Sequence, residues 1–187
     1  MTSATRNPGE RGPLDAGAEA VALKSFELME RGTREQFEQL IHPRCVNHEA
    51  KDEPPASRQQ HGPAAIYATA LWLREAFAEL RWEIHEVVSE RDLVVVHCTM
   101  SGRHVKPFVS YDADGEVKEA FPPTGRRFAT TQTHWIRVED GRFAEHWANR
   151  DDLGTAEQLG WVPPSPLYLV RMALAKRHAR RAARAGD

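Results

Sequence analysis

Phe128 to Gly160 read FATTQTHWIRVEDGRFAEHWANRDDLGTAEQLG, and this stretch carries the clearest structural pattern in the chain. Two strand-like runs, Phe128 to Val138 and Arg142 to Asn149, flank a polar turn that contains Asp140-Gly141. Asp-Gly between alternating runs is a strong hairpin signal, because glycine adopts a positive φ without steric cost. The stretch therefore predicts a β-hairpin. Its histidines and carboxylates supply more polar chemistry than a core needs.

Alternation along this hairpin assigns its side chains to two faces. In the first strand His134 shares a face with Gln132, whereas Trp135 lies on the other face. In the second strand His146 alternates with Trp147 in the same way. If the sheet curls around a cavity, His134 and His146 can both point into it. Each strand therefore offers one histidine, at mid-length, to a pocket.

The hairpin stretch resembles the signature of the SnoaL-like polyketide cyclase, or ester cyclase, family within the nuclear-transport-factor-two-like superfamily. The resemblance spans roughly Ala18 to Gly160 and is strongest after Phe121. The supporting fragments, in chain order, are Val46-Asn47-His48-Glu49, His61-Gly62-Pro63, Val94 to His97, Ser101-Gly102-Arg103-His104 and Phe121 to Phe128. An ordered set of short motifs is fairly specific for a family, but it does not identify a substrate.

This resemblance implies an α+β fold in which a strongly bent antiparallel sheet wraps around N-terminal helices, forming a cone-shaped barrel with an internal pocket. The founding cyclases close a ring on an aromatic polyketide ester by intramolecular aldol condensation without a cofactor, so we expect no cofactor here. In those enzymes an aspartate takes the proton α to the carbonyls, and a nearby histidine helps to stabilise the developing enolate. This is acid–base chemistry in a dry pocket, where positioning provides much of the rate.

Carried over residue by residue, the family's histidine falls on His134, but its aspartate position falls on Ala148. A methyl group cannot accept a proton, so the chain departs from the cyclase pattern at the residue that performs the chemistry. We predict His134 and Asp151 as catalytic residues, although Asp151 reaches the cavity face only if the strand ends or bulges first. The alternative is that Asp151 and Asp152 begin the next helix and cap its free N–H groups.

Further pocket residues are predicted on several elements. We expect ligand contacts from His48, Trp72, His97, His104, Gln132 and His146. Each of three has a structural alternative: a hydrogen-bonded surface group for His48, core packing for Trp72, and a solvent-facing position for His97. The histidines lie on separate elements without close ligand spacing, so we predict no metal site.

Length and composition indicate one domain with two distinct ends. The chain has 187 residues and a formal net charge of -2, which suits a single domain with a real core. We expect a disordered tail at 1–17, the cone domain at 18–162 and a basic helical extension at 163–187. The tail lacks the apolar centre of a secretory signal, so we predict a cytoplasmic protein. Cys45 and Cys98 lack metal or redox spacing and are predicted to be buried, reduced thiols.

Two segments are expected to border the pocket. Lys51 to Gln60 is a polar, proline-bearing loop that could form a mobile rim or simply a connection. Val109 to Ala120 is predicted to be an added loop or hairpin in a section that the family shortens. Such an insertion either changes which ligand fits or is a tolerated surface excursion.

The terminal helix and the outer face of the sheet raise the question of partners. The helix ends in a basic group of side chains: Lys176, Arg177, Arg180, Arg181 and Arg184. Such an end suits an anionic membrane surface or nucleic acid, but its short apolar stripe and its lack of interleaved aromatics favour a solvated helix. We therefore predict no nucleic-acid partner. Because the family commonly pairs through its sheet, we predict a homodimer with Trp135 and Trp147 at or near the contact.

Two classes of function remain open. The first is an enzyme that acts on an apolar or polyketide-like small molecule by cofactor-free acid–base chemistry, as a cyclase, an isomerase or a relative. Ala148 counts against a standard cyclase and leaves isomerisation, hydrolysis and cofactor-free hydroxylation open. The second is a non-catalytic binding protein whose pocket holds an apolar, partly aromatic ligand, since one fold hosts many functions.

Overall fold

A computed structural model of the chain describes residues 13–58 and 61–185. The helices are α1 (Pro13–Arg31), α2 (Arg34–Leu40), α3 (Pro55–Arg58), α4 (Gly62–Ala76), α5 (Asp152–Leu159) and α6 (Pro166–Ala185). The strands are β1 (Ile41–Asn47), β2 (Phe77–Glu90), β3 (Leu93–His104), β4 (Phe108–Tyr111), β5 (Val117–Phe121), β6 (Arg127–Glu139) and β7 (Arg142–Arg150). A short 3-10 turn, Ala50–Asp52, follows β1.

The main sheet has five strands in the order β1-β7-β6-β3-β2, and it is strongly curved. Its neighbouring strands are antiparallel except for the edge strand β1, which runs parallel to β7. Helix α1 packs against β2, β3, β6 and β7, and α4 packs against β1 and β2. The predicted α+β architecture of a bent sheet around N-terminal helices is therefore confirmed.

The β6–β7 hairpin forms where the sequence predicts it. Its turn has a φ of 51° at Asp140 and 70° at Gly141, and two successive positive φ angles match the twist of the flanking strands. The predicted inner face of β6 is buried along its whole length, and its members are Phe128, Thr130, Gln132, His134, Ile136 and Val138. A register shift between Arg137 and Val138 then changes the phase of β7.

The core lies between this inner face and the helices. Val94, Val96 and Cys98 of β3 have no exposed surface, and neither do Ala22 of α1 and Ala70 of α4. Small alanines let the helix backbones approach the sheet, while burial of each large apolar side chain contributes roughly 1.5–3 kcal/mol. The prediction for Cys45 and Cys98 is also confirmed, since both are free and buried, and burial raises the pKa of each thiol to about 12.

Several predicted boundaries shift in the structure. Helix α1 begins at Pro13, so residues 13–17 are helical rather than part of a tail, and residues 1–12 of that predicted tail lie outside the described residues. The polar loop predicted at 51–60 holds the end of the 3-10 turn and helix α3, and its residues 59 and 60 are likewise outside the described part. The segment 109–120 forms the predicted hairpin, β4 paired with β5.

Helix α6 lies on the β4–β5 hairpin and is held there by polar side chains. The Tyr168 hydroxyl donates to the Pro122 carbonyl at 3.1 Å, and Arg180 donates to the Val117 carbonyl at 3.1 Å. Lys176 pairs with Glu119 at 3.0 Å. Two members of the basic group therefore face the fold. Among the described residues, no helix is both long enough and apolar enough to cross a membrane.

Candidate active site

A cavity of about 500 Å³ lies between the concave face of the sheet and the helices. Aromatic and apolar side chains form most of its wall, among them Phe26, Met29, Phe37, Phe77, Trp82, Phe108, Phe121, Phe128 and Trp161. Partly exposed charged side chains mark its mouth, namely Glu49, Lys51, Asp52, Lys118, Glu119, Arg150 and Asp152. An aromatic wall of this size suits a flat, apolar ligand, which would be largely removed from water.

A continuous chain of hydrogen-bonded side chains crosses one wall of the cavity. Gln132 Oε1 lies 2.9 Å from His134 Nε2, and His134 Nδ1 lies 2.8 Å from His146 Nε2. His146 Nδ1 then lies 2.9 Å from Asn47 Oδ1. Strand pairing explains this arrangement, because Gln132 and His134 are two residues apart on β6, and the parallel β1–β7 register places Asn47 beside His146. All of these residues line the cavity.

Both ends of this chain are hydrogen-bond acceptors. Gln132 Oε1 also accepts from Trp82 Nε1 at 3.3 Å, and Asn47 Oδ1 also accepts from the Glu49 backbone N–H at 3.2 Å. These second donors determine which atom of each amide faces the imidazoles. The imidazole pair, defined here as His134 and His146, is therefore held between two carbonyl oxygens.

When it is neutral, the imidazole pair carries fewer ring N–H hydrogens than its three hydrogen bonds require. Two neutral imidazoles carry two ring N–H groups, whereas the bonds to Gln132, between the rings, and to Asn47 need three. Burial, then the charge of Arg150, lowers the pKa of His134 to about 3. Burial is also the main cause that holds the pKa of His146 well below its usual value, followed by the charges of His134 and Arg150. The resting pair is therefore neutral, and one added proton would complete its third hydrogen bond.

The polar chain continues from Asn47 to a buried carboxyl group. Asn47 Nδ2 donates to Glu53 Oε1 at 3.3 Å, and the Thr69 hydroxyl donates to Glu53 Oε2. Glu53 is 5% exposed and lines the cavity. Burial raises the pKa of its carboxyl group, although its hydrogen bonds and Arg150 act in the opposite direction. Glu53 is not predicted from the sequence, because a single acid in a polar, proline-bearing loop shows no pattern that marks it as buried.

Position 148 in β7 and position 151 after the strand differ in how they lie relative to His134. Ala148 lies directly opposite His134 in the β6–β7 register, so a methyl group occupies the place where the family resemblance puts the aspartate. Asp151 is exposed and is the N-cap of α5, where its Oδ1 accepts from the Gly154 N–H at 2.8 Å. Asp151 is not part of the cavity lining. The capping alternative therefore describes Asp151, and the structure does not bring it to His134.

Of the six predicted ligand contacts, three line the cavity: Gln132, His146 and Trp72. The Trp72 indole N–H donates to the Val109 carbonyl at 2.8 Å, which ties α4 to the β4–β5 hairpin. The apolar face of β3, which carries Val94, Val96 and Cys98, points inward. His97 is therefore exposed on the outer side of the sheet, with Nδ1 3.3 Å from the Thr133 hydroxyl.

His48 and His104 also lie away from the cavity lining. His48 is exposed, and its ring stacks on Trp147 with 4.7 Å between centroids. His104 is fully buried in contact with the rings of Phe77 and Trp161. Its Nδ1 accepts from the Thr124 N–H at 3.4 Å, and burial lowers the pKa of the ring to about 4. In the structure, His48 and His104 therefore pack against aromatic rings and are not part of the cavity lining. Within residues 13–58 and 61–185, no group of three histidine, cysteine or acidic side chains could hold a metal ion.

A curved sheet closed by helices around an aromatic cavity, with paired imidazoles in its wall, defines a cone-fold protein with a cavity of small-molecule size. The family model described as SnoaL-like polyketide cyclase matches residues 20–159 of the chain. The protein therefore belongs to the SnoaL-like polyketide cyclase family, as the sequence resemblance indicated.

Individual relatives agree with this assignment. Aklanonic acid methyl ester cyclase DnrD from Streptomyces peucetius is 33% identical over 145 residues, which is 76% of this chain and 90% of the relative. Nogalonic acid methyl ester cyclase from Streptomyces nogalater is 30% identical over 133 residues, or 69% of this chain and 87% of the relative. The solved structure of TsrD from Streptomyces laurentii superposes with a TM-score of 0.63 at 25% identity, covering 81% of this chain and 98% of that one.

Proposed function

We propose that the protein acts on a polyketide-like ester by cofactor-free acid–base chemistry, with ring closure by intramolecular carbon–carbon bond formation as the reaction. The observation that carries this proposal is the hydrogen-bonded imidazole pair in the wall of an aromatic cavity. Two relatives that match most of the chain are named as cyclases of aklanonic acid methyl ester and nogalonic acid methyl ester, and the family is described as polyketide cyclases; both support this class of substrate. A cytoplasmic location remains a prediction from the sequence.

The reaction requires three kinds of catalytic group from the protein. A base must remove a proton from the carbon next to a carbonyl group, a donor must stabilise the resulting enolate oxygen, and an acid must protonate the new alkoxide. Gln132 suits the second task, because two donors hold its Oε1 and leave the Nε2 hydrogens for other acceptors. The described partner of Nε2 is the Met100 sulfur at 3.2 Å, a weak acceptor that a ligand carbonyl would displace.

Groups near Gln132 can hold a proton and stabilise negative charge on a ligand. The imidazole pair gains a hydrogen bond when it takes up one proton, so it can hold a proton during turnover and release it afterwards. The cationic Arg150 also lines the cavity and would favour negative charge on a bound ligand. Because aromatic walls exclude water, these interactions are stronger than they would be in solution.

Turnover of aklanonic acid methyl ester and nogalonic acid methyl ester tests the proposal. We expect the wild-type protein to convert one of these esters, or a related polyketide ester, to a ring-closed product of equal mass, seen as a chromatographic shift in mass spectrometry. His134→Gln should lower kcat by at least about 100-fold, the usual range for an acid–base group. His85→Gln, on the exposed surface of β2, is the matched control and should retain wild-type turnover. Equal turnover by the His134 variant would refute the role of the pair.

A second candidate function is non-catalytic binding of the same class of ligand. It is favoured by one observation, the methyl group of Ala148 opposite His134, where the family pattern expects an aspartate. Trp72, Trp82 and Trp161 line the cavity, so quenching of their fluorescence reports binding directly. Tight binding without conversion of any ester, and with binding retained in His134→Ala, would favour this second function.

We also propose that the protein forms a homodimer through the outer face of its sheet. Trp135 and Trp147 are register partners and keep part of their surface exposed, which gives this face a large aromatic patch. Light scattering should show twice the chain mass of 21.1 kDa at micromolar concentration. A monomer under those conditions would reject the dimer.

A further inference from the structure

We propose that Glu53 is the general base of this site and replaces the carboxylate that is absent at position 148. The inference rests on the proposed acid–base function and identifies the residue that starts the reaction. Its basis is a juxtaposition: the place opposite His134 holds Ala148, while a buried carboxyl group from a different element joins the same polar chain through Asn47.

The surroundings of Glu53 hold its carboxyl group and leave it able to accept a proton. Each oxygen receives one hydrogen bond from a neutral side chain, Oε1 from Asn47 and Oε2 from Thr69. An ionised carboxylate has about four lone-pair positions, so these bonds do not saturate it. Because Glu53 lines the cavity, the remaining lone pairs are available to a bound ligand. Burial also makes the ionised carboxylate a stronger base than one in water.

The other carboxylates around the cavity are less suited to this task. Each of them is partly exposed and paired with a cation: Glu49 and Asp152 with Arg150, Asp52 with Lys118, and Glu119 with Lys176. A paired carboxylate in water is a weak base, because the nearby positive charge favours its ionised form. Among the described acids that line the cavity, Glu53 combines deep burial with neutral hydrogen-bond partners.

The reaction that Glu53 would perform balances in protons and electrons. One Glu53 oxygen takes the proton from the carbon α to a carbonyl group of the ester, and the electron pair of the broken C–H bond becomes the enolate. The enolate carbon attacks a second carbonyl carbon of the same molecule and forms the new C–C bond, which leaves an alkoxide. The alkoxide takes this proton from the protonated Glu53 carboxyl group and becomes a hydroxyl group, so the carboxylate is regenerated with no net change in protons and without any oxidant.

Glu53→Gln is the central test, since glutamine keeps the size and the hydrogen-bonding reach of the side chain but cannot accept the proton. We expect turnover to fall at least 100-fold, while the Kd from tryptophan quenching changes less than threefold. The rate at which the α C–H of the bound ester exchanges with solvent deuterium, measured by mass spectrometry, should fall together with turnover. Glu83→Gln, an exposed acid next to Trp82 on β2, is the control and should match wild type.

Returning the carboxylate to β7 provides a gain-of-function test. The double variant Glu53→Gln with Ala148→Asp should exchange the α C–H at least tenfold faster than Glu53→Gln alone, because the new carboxylate lies opposite His134. If Glu53→Gln does not fold, Thr69→Val supplies the evidence instead: loss of the hydroxyl donor should raise the pKa of Glu53 and move the acidic limb of the pH–rate profile to higher pH.

The outcomes separate this inference from the proposed function. Wild-type conversion with unchanged turnover and exchange in Glu53→Gln, or an unmoved acidic limb in Thr69→Val, overturns Glu53 as the base and leaves the enzymatic proposal standing. Wild-type binding without exchange or conversion overturns both in favour of a binding protein. Loss of exchange at retained affinity, together with recovery in the double variant, supports Glu53.

Discussion

Mild acid should destabilise this fold, because two buried histidines are neutral in the native state. The pKa of His134 is lowered to about 3 and that of His104 to about 4, whereas both rings have a pKa of about 6.5 in the unfolded chain. A group with a depressed native pKa contributes stability that is present above the unfolded value. That stability is lost as the pH falls from about 6.5 toward the native value.

The size of the effect follows from these values. Below pH 6.5 the unfolded state gains about 1.4 kcal/mol per pH unit for each histidine that stays neutral in the native state. Between pH 7 and pH 5, His134 and His104 therefore each remove about 2 kcal/mol from the free energy of unfolding. His146 acts in the same direction. Glu53 acts in the opposite direction, because its pKa is raised, so the difference between variants is more informative than the total.

Urea unfolding at pH 7, 6 and 5, at constant ionic strength, measures this difference. His134→Gln lacks the titrating group, so its free energy of unfolding should fall between pH 7 and pH 5 by about 2 kcal/mol less than that of wild type. His85→Gln has an exposed side chain and should follow wild type. Parallel pH dependence for His134→Gln and wild type would show that the imidazole pair already carries its extra proton near neutral pH. The imidazole pair would then not be neutral in the resting protein.

Three further perturbations test single features of the fold and the site. Gly62→Ala should lower the free energy of unfolding by at least about 2 kcal/mol in urea titrations, since φ is 66° there and a Cβ atom would lie 2.3 Å from the Pro43 carbonyl oxygen. Tyr168→Phe should cost about 1 kcal/mol and speed hydrogen exchange of the α6 amides, because it removes the hydroxyl that anchors this helix. Asn47→Leu should cost at least about 1 kcal/mol in the same titrations, because it leaves the His146 Nδ1 without its acceptor.

The hairpin could be predicted from the sequence because its determinants are local. Strand alternation placed Gln132 and His134 on one face of β6, and Asp140-Gly141 marked the turn. Alternation also separates His97 from the apolar side chains of β3, but it does not say which face of a strand turns inward. Burial of the opposite, apolar face decided this, since the free energy of removing several large side chains from water exceeds any preference of one histidine.

The rest of the site depends on contacts between distant parts of the chain. Asn47 meets His146 only because β1 pairs with β7 in parallel, and no periodicity reports a pairing across 99 residues. Glu53 is buried because the turn after β1 packs beneath α4, where Thr69 supplies a donor. For Asp151, both the cap and the catalytic role were open from the sequence. Because β7 ends at Arg150 and α5 begins at Asp152, Asp151 lies between them and caps the helix.

A carboxylate can move within such a site because the imidazole pair joins the two places where it could lie. An acid at position 148 would lie beside His134, whereas Glu53 reaches the other end of the pair through Asn47. A negative charge at either end stabilises the same singly protonated pair, since the third hydrogen bond forms whichever ring holds the added proton.

The geometry offered to the ligand nevertheless differs between the two positions of the carboxylate. With Glu53 as the base, the proton acceptor and the Gln132 donor lie at opposite ends of the polar chain. The C–H bond that breaks would then be farther from the carbonyl oxygen held by Gln132 than in an enzyme with the acid on β7. This separation favours a ligand with several carbonyl groups along one edge, as a polyketide has, over a compact ester.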